Sequence, residues 1–322
     1  MPPPVLAITA LDDFTADLVL AELHDRGTPV VRFDPGADFP SACALDVRLG
    51  GHGMGGLLRT GTRRLELTRV RSVYWRKPTP YQHQKYSHLD EQAGKWAAEQ
   101  SRYGLGGVLA AIPGAFYLNH PWRNRDAEYK PEQLVTAAAC GLAVPPTVIT
   151  NSLSTARRFA AEVGTIVYKP LWSTPYRDTN GTAVAVWTRA VDPADLDDGI
   201  GVTAHLFQQL IDKVADIRVT MVGERAFAVH IDGAPSLDWR YDYAALAYEL
   251  IEAPAHLIER MRAYLAHFGL VFGAFDFALT SGGEWVFLEC NPNGQWAWFT
   301  DPIPHLIAAA IADRLENPRG CS

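Results

Sequence analysis

The residues best placed to do chemistry lie near the end of the chain, where two apolar strands carry acidic groups. Val271 to Leu279 and Glu284 to Cys290 read as a hairpin turned at Ser281-Gly282-Gly283. Asp276 sits on the first strand. Glu289 and Asn291 are two apart on the second, so they share one face of the sheet. The centre of 276 and 289 falls in the turn, which sets Asp276 nearly across from Glu289. Two carboxylates and an amide on one face make an oxygen-rich set suited to a hard cation such as Mg²⁺ held together with phosphate. Exposed polar strand positions are the plainer alternative. That alternative explains poorly why carboxylates interrupt such apolar strands, where an unpaired charge is costly.

Cations complete the chemistry. Lys169 lies in the apolar run Ile166-Val167-Tyr168-Lys169-Pro170, an unfavourable place for an ammonium without a partner. Lys130 stands just ahead of a helix expected from Pro131 to Cys140, where the helix terminus also attracts anions. Arg218 and Arg240 are single arginines that could clamp a transferring phosphoryl group. Taken one at a time, each of the four reads as readily as a surface cation. Gly51-His52-Gly53-Met54-Gly55-Gly56 matches G-x-G-x-x-G. The next residues, Leu57 to Val70, have strand character rather than the helix a dinucleotide fingerprint needs, so the match reads as a flexible glycine loop. No H-E-x-x-H, P-loop or G-x-S-x-G occurs, and the ten scattered histidines receive no role.

These groups need a scaffold, and the 322 residues supply enough chain for two or three packed units. The opening third alternates strand and helix: Val5 to Ile8, Phe14 to Arg26, Pro29 to Phe33, a pattern that predicts a parallel, Rossmann-like sheet. Strands are expected at Ala44 to Leu49, Arg64 to Val70, Ser72 to Arg76 and Phe116 to Leu118, with a helix over Asp90 to Ala111. The middle reads as an extended segment from Val144, a helix from Ser154 to Val163, and strands at Thr165 to Leu171, Ala183 to Ala190 and His205 to Ile211. The last third carries the hairpin Ile217 to Val222 and Ala226 to Ile231, a helix from Pro254 to Phe268, the acidic hairpin, and a final helix from Ile303 to Leu315. Net charge is −7 with no basic cluster, which argues against duplex nucleic acid. No apolar run approaches the roughly 18 residues that span a bilayer. The start has no basic region or cleavage site, and four dispersed cysteines fit a reduced cytoplasm.

Together the elements resemble the ATP-grasp superfamily over residues 116 to 322. They are a lysine before a helix, a lysine in a strand ending in proline, a glutamine-bearing strand, the Asp216-Ile217-Arg218-Val219 hairpin and the final acidic set. Three segments resemble, more narrowly, the ATP-grasp maturases of ribosomal peptides, the microviridin or graspetide ligases. They are Ala7-Ile8-Thr9 with the aspartates after it, Val73-Tyr74-Trp75-Arg76-Lys77-Pro78, and Asn293-Gly294-Gln295-Trp296-Ala297-Trp298. The resemblance implies an α/β fold: a pre-ATP-grasp domain at 1–115, an N-lobe at 116–204 and a C-lobe with the metal site at 205–322. It implies that Lys130 and Lys169 hold the ATP phosphates, and that Gln208, Gln209, Leu210 and Ile211 receive adenine. Arg218 and Arg240 would face the γ-phosphate or acyl phosphate, and Asp276, Glu289 and Asn291 would ligate Mg²⁺. Such enzymes join Asp or Glu side chains of a precursor peptide to Thr, Ser or Lys side chains as lactones or lactams. The implied partners are that peptide, leader plus core, and at most a second copy in a homodimer, with neither nucleic acid nor membrane. The loop from Trp172 to Thr182 departs from a generic phosphate lid in having one glycine, Gly181.

Two other readings stay open: a ligase that joins a free amino acid to a small molecule or protein tail, and an ATP-sensing module without chemistry. The clustered Asp192, Asp195, Asp197 and Asp198 form either a solvated loop or a contact for basic leader residues. Neutralising Asp276 or Glu289 is expected to leave stability without nucleotide near wild type, or to raise it by relieving their mutual repulsion.

Overall fold

The computed structural model describes residues 2–172, 176–177, 179–184, 186–233, 237, 239 and 246–318. Arg240 lies outside the described residues.

The opening β-α-β pattern folds as expected. It comprises β1 (Val5–Ile8), α1 (Phe14–Asp25), β2 (Val30–Phe33), the short α2 (Pro35–Asp38), β3 (Cys43–Gly50), β4 (Gly53–Thr60), β5 (Arg64–Glu66), β6 (Ser72–Trp75), α3 (Glu91–Ala110) and β7 (Phe116–Leu118). Asp13 caps α1, and Gly27, at φ 72°, carries the chain out of it. The sheet runs β2-β1-β6-β7, and every pair is parallel. From β1 the chain moves to one side for β2 and to the other for β6, so the strand order reverses between β1 and β6. The carboxyl ends of those two strands are where an open α/β sheet leaves a crevice. The glycine run is a strand rather than a flexible loop. From Gly53 onward it pairs with β3, and β4 pairs in turn with β5. A Cβ at Gly56 would come within 2.2 Å of the Asp46 carbonyl oxygen, so close strand pairing, not phosphate, accounts for that glycine.

The middle holds α4 (Pro121–Asp126), α5 (Lys130–Ala139), β8 (Thr147–Thr150), α6 (Leu153–Val163), β9 (Ile166–Lys169), β10 (Tyr176–Arg177), β11 (Ala183–Val184), β12 (Arg189–Val191) and β13 (His205–Gln209). Helix α4 has no counterpart among the expected elements, and the single strand expected over Ala183 to Ala190 is two short ones. An antiparallel sheet ordered β12-β9-β13-β8 forms this lobe, with α6, capped by Ser152, packed on it through Ala156 and Ala160.

The third part comprises β14 (Lys213–Val222), β15 (Arg225–Asp232), β16 (Ala247–Ile251), α7 (Ala255–Phe268), β17 (Phe272–Thr280), β18 (Trp285–Asn291) and α8 (Ile303–Glu316). Its sheet runs β16-β15-β14-β17-β18, all antiparallel. One face buries Phe275, Phe277 and Phe287 against Tyr264 and Met261 of α7. The other face packs on Ile307, Ile311 and Leu315 of α8, whose far side meets Val19 and Leu23 of α1. Each fully buried aliphatic chain contributes roughly 1.5–3 kcal/mol. Helix α8 therefore joins the central sheet to the N-terminal one in a single core, and the Ser72 hydroxyl seals the join by donating to the Leu315 carbonyl at 2.7 Å.

Candidate active site

The acidic hairpin sets Asp276 directly opposite Glu289, as expected, and Ala274 opposite Asn291, but the turn alone does not produce that register. The means is a β-bulge. Between the turn and Phe277 the strands pair Leu279 with Trp285 and Phe277 with Phe287. The register then slips by one, and Leu288 is the extra residue. Unbroken pairing would have set Asp276 against Leu288 and turned Glu289 to the opposite face. The bulged Leu288 carbonyl accepts a hydrogen bond from Lys169 Nζ at 3.2 Å, across from the other lobe.

A row of charge crosses the sheet at this level. Arg218 on β14 is the register partner of Asp276 on β17, which is the partner of Glu289 on β18. Arg218 Nη1 donates to both Asp276 oxygens, at 2.8 and 2.7 Å. Lys130 Nζ, from the first turn of α5, donates to Glu289 Oε2 at 3.0 Å. The order is cation, anion, anion, cation, with Arg218 4% and Asp276 5% exposed. The two carboxylates face each other, and each is balanced by its own cation. This corrects the stability expectation: removing the Asp276 charge would leave the buried Arg218 uncompensated, so the variant should lose stability rather than gain it.

One cleft between the two lobes gathers most of the predicted residues. Lys169, Gln208, Gln209, Leu210, Ile211, Asp276 and Glu289 all line it. The Gln208 side chain donates to Thr147 Oγ1 and that of Gln209 to the Val163 carbonyl. Sequence reasoning gave no site role to Lys213 or to Asp216, which also line the cleft. Lys213 Nζ donates to both Asp216 oxygens, at 2.7 and 2.6 Å, and to the Leu237 carbonyl. Their signal was Asp216 two residues before Arg218 on the same strand face. Asn291 is exposed, and its Oδ1 accepts from the Asn293 amide at 3.0 Å.

The loop after β18 is held by the N-terminal domain. Arg76, 2% exposed, donates to the carbonyls of Asn293 and Gly294 at 2.7 and 3.1 Å and to the Gln295 side chain, and pairs with Asp13 at 3.3 Å. The buried Asn119 amide donates to the carbonyls of Phe272 and Pro292, and its oxygen accepts from the amides of Val271 and Phe272, all at 2.8–2.9 Å. Arg218 Nη2 reaches the Gln295 carbonyl at 3.3 Å. Gly294 permits that approach, since a Cβ there would stand 2.6 Å from Arg218 Nη2.

A thiol nucleophile is excluded at this site. Cys290, beside Glu289, is fully buried, and desolvation holds its pKa well above the ordinary thiol value, so it stays protonated. Among the described residues no three His, Cys, Asp or Glu side chains gather as a metal-binding group. Two carboxylates and an amide beside an open cleft nevertheless fit Mg²⁺. That ion is usually held by one or two carboxylates plus the oxygens of phosphates and water.

Residues 4–125 match the family model of the MvdD pre-ATP grasp domain. No curated protein sequence matches the chain. Solved structures do. A RiPP-associated ATP-grasp ligase of Chryseobacterium gregarium, in complex with ADP and a leader and core peptide, is similar at TM-score 0.90 and 25% identity, over 99% of this chain and 98% of its own. The macrocyclase MdnC of Microcystis aeruginosa MRC, bound with precursor peptide MdnA, gives TM-score 0.84 at 28% identity over 98% and 99%. The macrocyclase MdnB of the same organism gives 0.77 at 28% over 98% and 99%. D-cycloserine synthetase DcsG, at 17% identity and TM-score 0.55, shares the fold alone. With its N-terminal residues matched to that domain and nearly its whole length sharing the architecture of these ligases and macrocyclases, the chain has the fold of an ATP-grasp ligase, which supports an ATP-dependent ligase of this type.

Proposed function

We propose that the protein is an ATP- and Mg²⁺-dependent macrocyclase that closes lactone or lactam rings in a ribosomally made precursor peptide. The observation that carries the proposal is the row Arg218–Asp276–Glu289–Lys130 beside a cleft that Lys169 enters from the opposite lobe. A facing carboxylate pair with a cation at each end is suited to hold a divalent ion and neutralise a transferring phosphoryl group.

In this reading Asp276, Glu289 and Asn291 ligate Mg²⁺, which would supply Lewis-acid charge neutralisation. Lys130 and Lys169 hold the nucleotide phosphates. Because the Gln208 and Gln209 side chains are engaged within the lobe, adenine would meet the segment through its backbone and through Leu210 and Ile211. Arg218 lies where it can bear on the reacting oxygens, and Arg240 is proposed for the same task. The divisions at 115/116 and 204/205, and action in the cytoplasm, belong to the same proposal.

The chemistry is set by the leaving group. A carboxylate oxygen of peptide Asp or Glu takes the γ-phosphoryl group of ATP, giving an acyl phosphate and ADP. A Thr, Ser or Lys side chain then attacks the acyl carbon, and phosphate departs with both electrons of the broken C–O bond. The proton of the attacking group leaves with it, so the peptide loses one water per ring.

The test is incubation with ATP, Mg²⁺ and a candidate precursor peptide sought among the reading frames that neighbour this protein's gene. Peptide mass should fall by about 18 Da per ring, with ADP as the nucleotide product. Accumulation of AMP and pyrophosphate would mean adenylation and end the acyl-phosphate proposal.

The acidic segment gives a second expectation. All four of its aspartates are exposed, but Asp192 and Asp197 accept from the amides of Ala194 and Gly199 and so shape the local turns. Asp195 and Asp198 are the cleaner test of leader contact. Changing both to Asn should weaken precursor binding several-fold at low salt, with ADP affinity unchanged. Equal precursor affinity at low salt would mark the segment as solvated surface.

A further inference from the structure

A second space is linked to the lobe cleft through the hydrogen bonds of Arg218. This is a groove of about 620 Å³ between the N-terminal domain and the loop after β18. It is lined by Asp12, Phe14 and Lys77 on one side and by Gln295, Ala297 and Trp298 on the other. It opens at the carboxyl ends of β1 and β6, where the strand order of the N-terminal sheet reverses, the place such sheets offer to ligands. With the nucleotide in the lobe cleft, this crevice is left for something else.

Arg218 joins the two spaces. Its Nη1 is bonded to Asp276, which lines the lobe cleft, and its Nη2 to the carbonyl of Gln295, which lines the groove. A ligand in the groove would therefore sit on the far side of the same guanidinium that faces the acidic pair.

The groove has mixed chemistry. Phe14, Ala297 and Trp298 make an apolar wall, and Phe14 is exposed at 63%. Lys77 is the cation of the lining. Its neighbour Arg76 is committed to the loop, whereas Lys77 stands exposed at the groove. Desolvation lowers its pKa, and the nearby Arg76 and Arg218 add to the effect against the opposing pull of Asp13 and Glu128. A cation beside other cations gains from an incoming anion.

We propose that this groove binds the substrate peptide around its acidic residue, with Lys77 receiving the Asp or Glu carboxylate and the wall of Phe14, Ala297 and Trp298 taking an adjacent apolar side chain. Lys77 is thereby a specificity-determining residue contributed by the N-terminal domain. This inference rests on the peptide-ligase reading, and its test separates the two.

The probe is a fluorophore-labelled synthetic peptide, acetyl-Ala-Phe-Glu-Ala-Ala-amide, against the same peptide with Gln for Glu, titrated with ADP and Mg²⁺ present. Wild type should bind the Glu peptide about tenfold more tightly. Lys77→Gln should bind both equally, Lys77→Arg should restore the preference, and ADP affinity should be the same in all three. With benzophenylalanine in place of Phe, photocrosslinks should map to residues 10–15 or 295–298. A preference for Glu that survives Lys77→Gln, no preference in wild type, or crosslinks confined elsewhere would each overturn the proposal. Loss of ADP binding in wild type would instead sink the ligase reading on which it stands.

Discussion

Replacing Asp276 with Asn should cut ring formation by a hundredfold or more and also destabilise the protein. The first effect comes from the proposed metal role, since losing a charged ligand where phosphoryl charge develops costs about 3 kcal/mol or more of barrier. The second comes from the buried ion pair. Arg218 is 4% exposed and bonds both Asp276 oxygens, so the amide leaves a buried guanidinium with one acceptor from residue 276 where it had two and with no balancing charge from it. Breaking a buried pair from one side costs roughly 3–5 kcal/mol. Glu289→Gln separates the two effects. Its partner Lys130 keeps more access to water, so the stability loss should be about 1 kcal/mol while activity falls as far. Denaturant titration without nucleotide, run beside peptide turnover, checks both. ADP with Mg²⁺ should stabilise either variant less than wild type, because ligand-linked stability tracks affinity. A Glu289→Gln enzyme that cyclises peptide at the wild-type rate would remove the metal assignment.

Arg76→Met should cost at least as much stability as Asp276→Asn and should abolish turnover, although Arg76 does not line the lobe cleft. The side chain is 2% exposed and holds two carbonyls, the Gln295 amide and Asp13. Met fills most of the volume but satisfies none of these groups, and each buried acceptor left without a donor costs roughly 1–3 kcal/mol. The loop it releases carries the Gln295 carbonyl that Arg218 Nη2 reaches, so Arg218 should lose its fixed position too. Arg76→Lys reports on positioning. It keeps the charge beside Asp13 but cannot span the same acceptors. It should retain ADP binding within a few-fold while turnover at saturating peptide falls tenfold or more. Full turnover in Arg76→Lys would show that the loop holds its place without the arginine fork.

Much of the N-terminal sheet and of the lobes was legible because each element carries its own local signal. Pro131 in the first turn of α5, Ser152 ahead of α6, Gly269 at φ 64° after α7 and the Gly282-Gly283 turn each act within a few residues, so periodicity and caps could place them. Errors fell where local signals are weak. Helix α4 is six residues long, too short to show a period, and β16 pairs only at the sheet edge. The glycines of β4 suggested a loop because nothing local reveals that Asp46 presses against Gly56 from the neighbouring strand.

By itself the sequence determined which chemistry was available: two acidic residues in an apolar hairpin, lysines in unfavourable places, and no nucleophile with a base. Pairing about a turn is local, so numbering alone brought Asp276 to within one residue of its partner across the hairpin. Tertiary structure decided how those charges are balanced. The bulge at Leu288 turns Glu289 to the face of Asp276, a slip of one residue that depends on what packs against the sheet. The partners that neutralise the pair come from distant chain, Arg218 from 58 residues away and Lys130 from 159. The contacts that fix the loop beside them come from a domain more than two hundred residues upstream, where Arg76 meets Asn293. No local propensity encodes such contacts. They exist because α8 packs both sheets into one core and so brings buried charges close enough that each must find a partner.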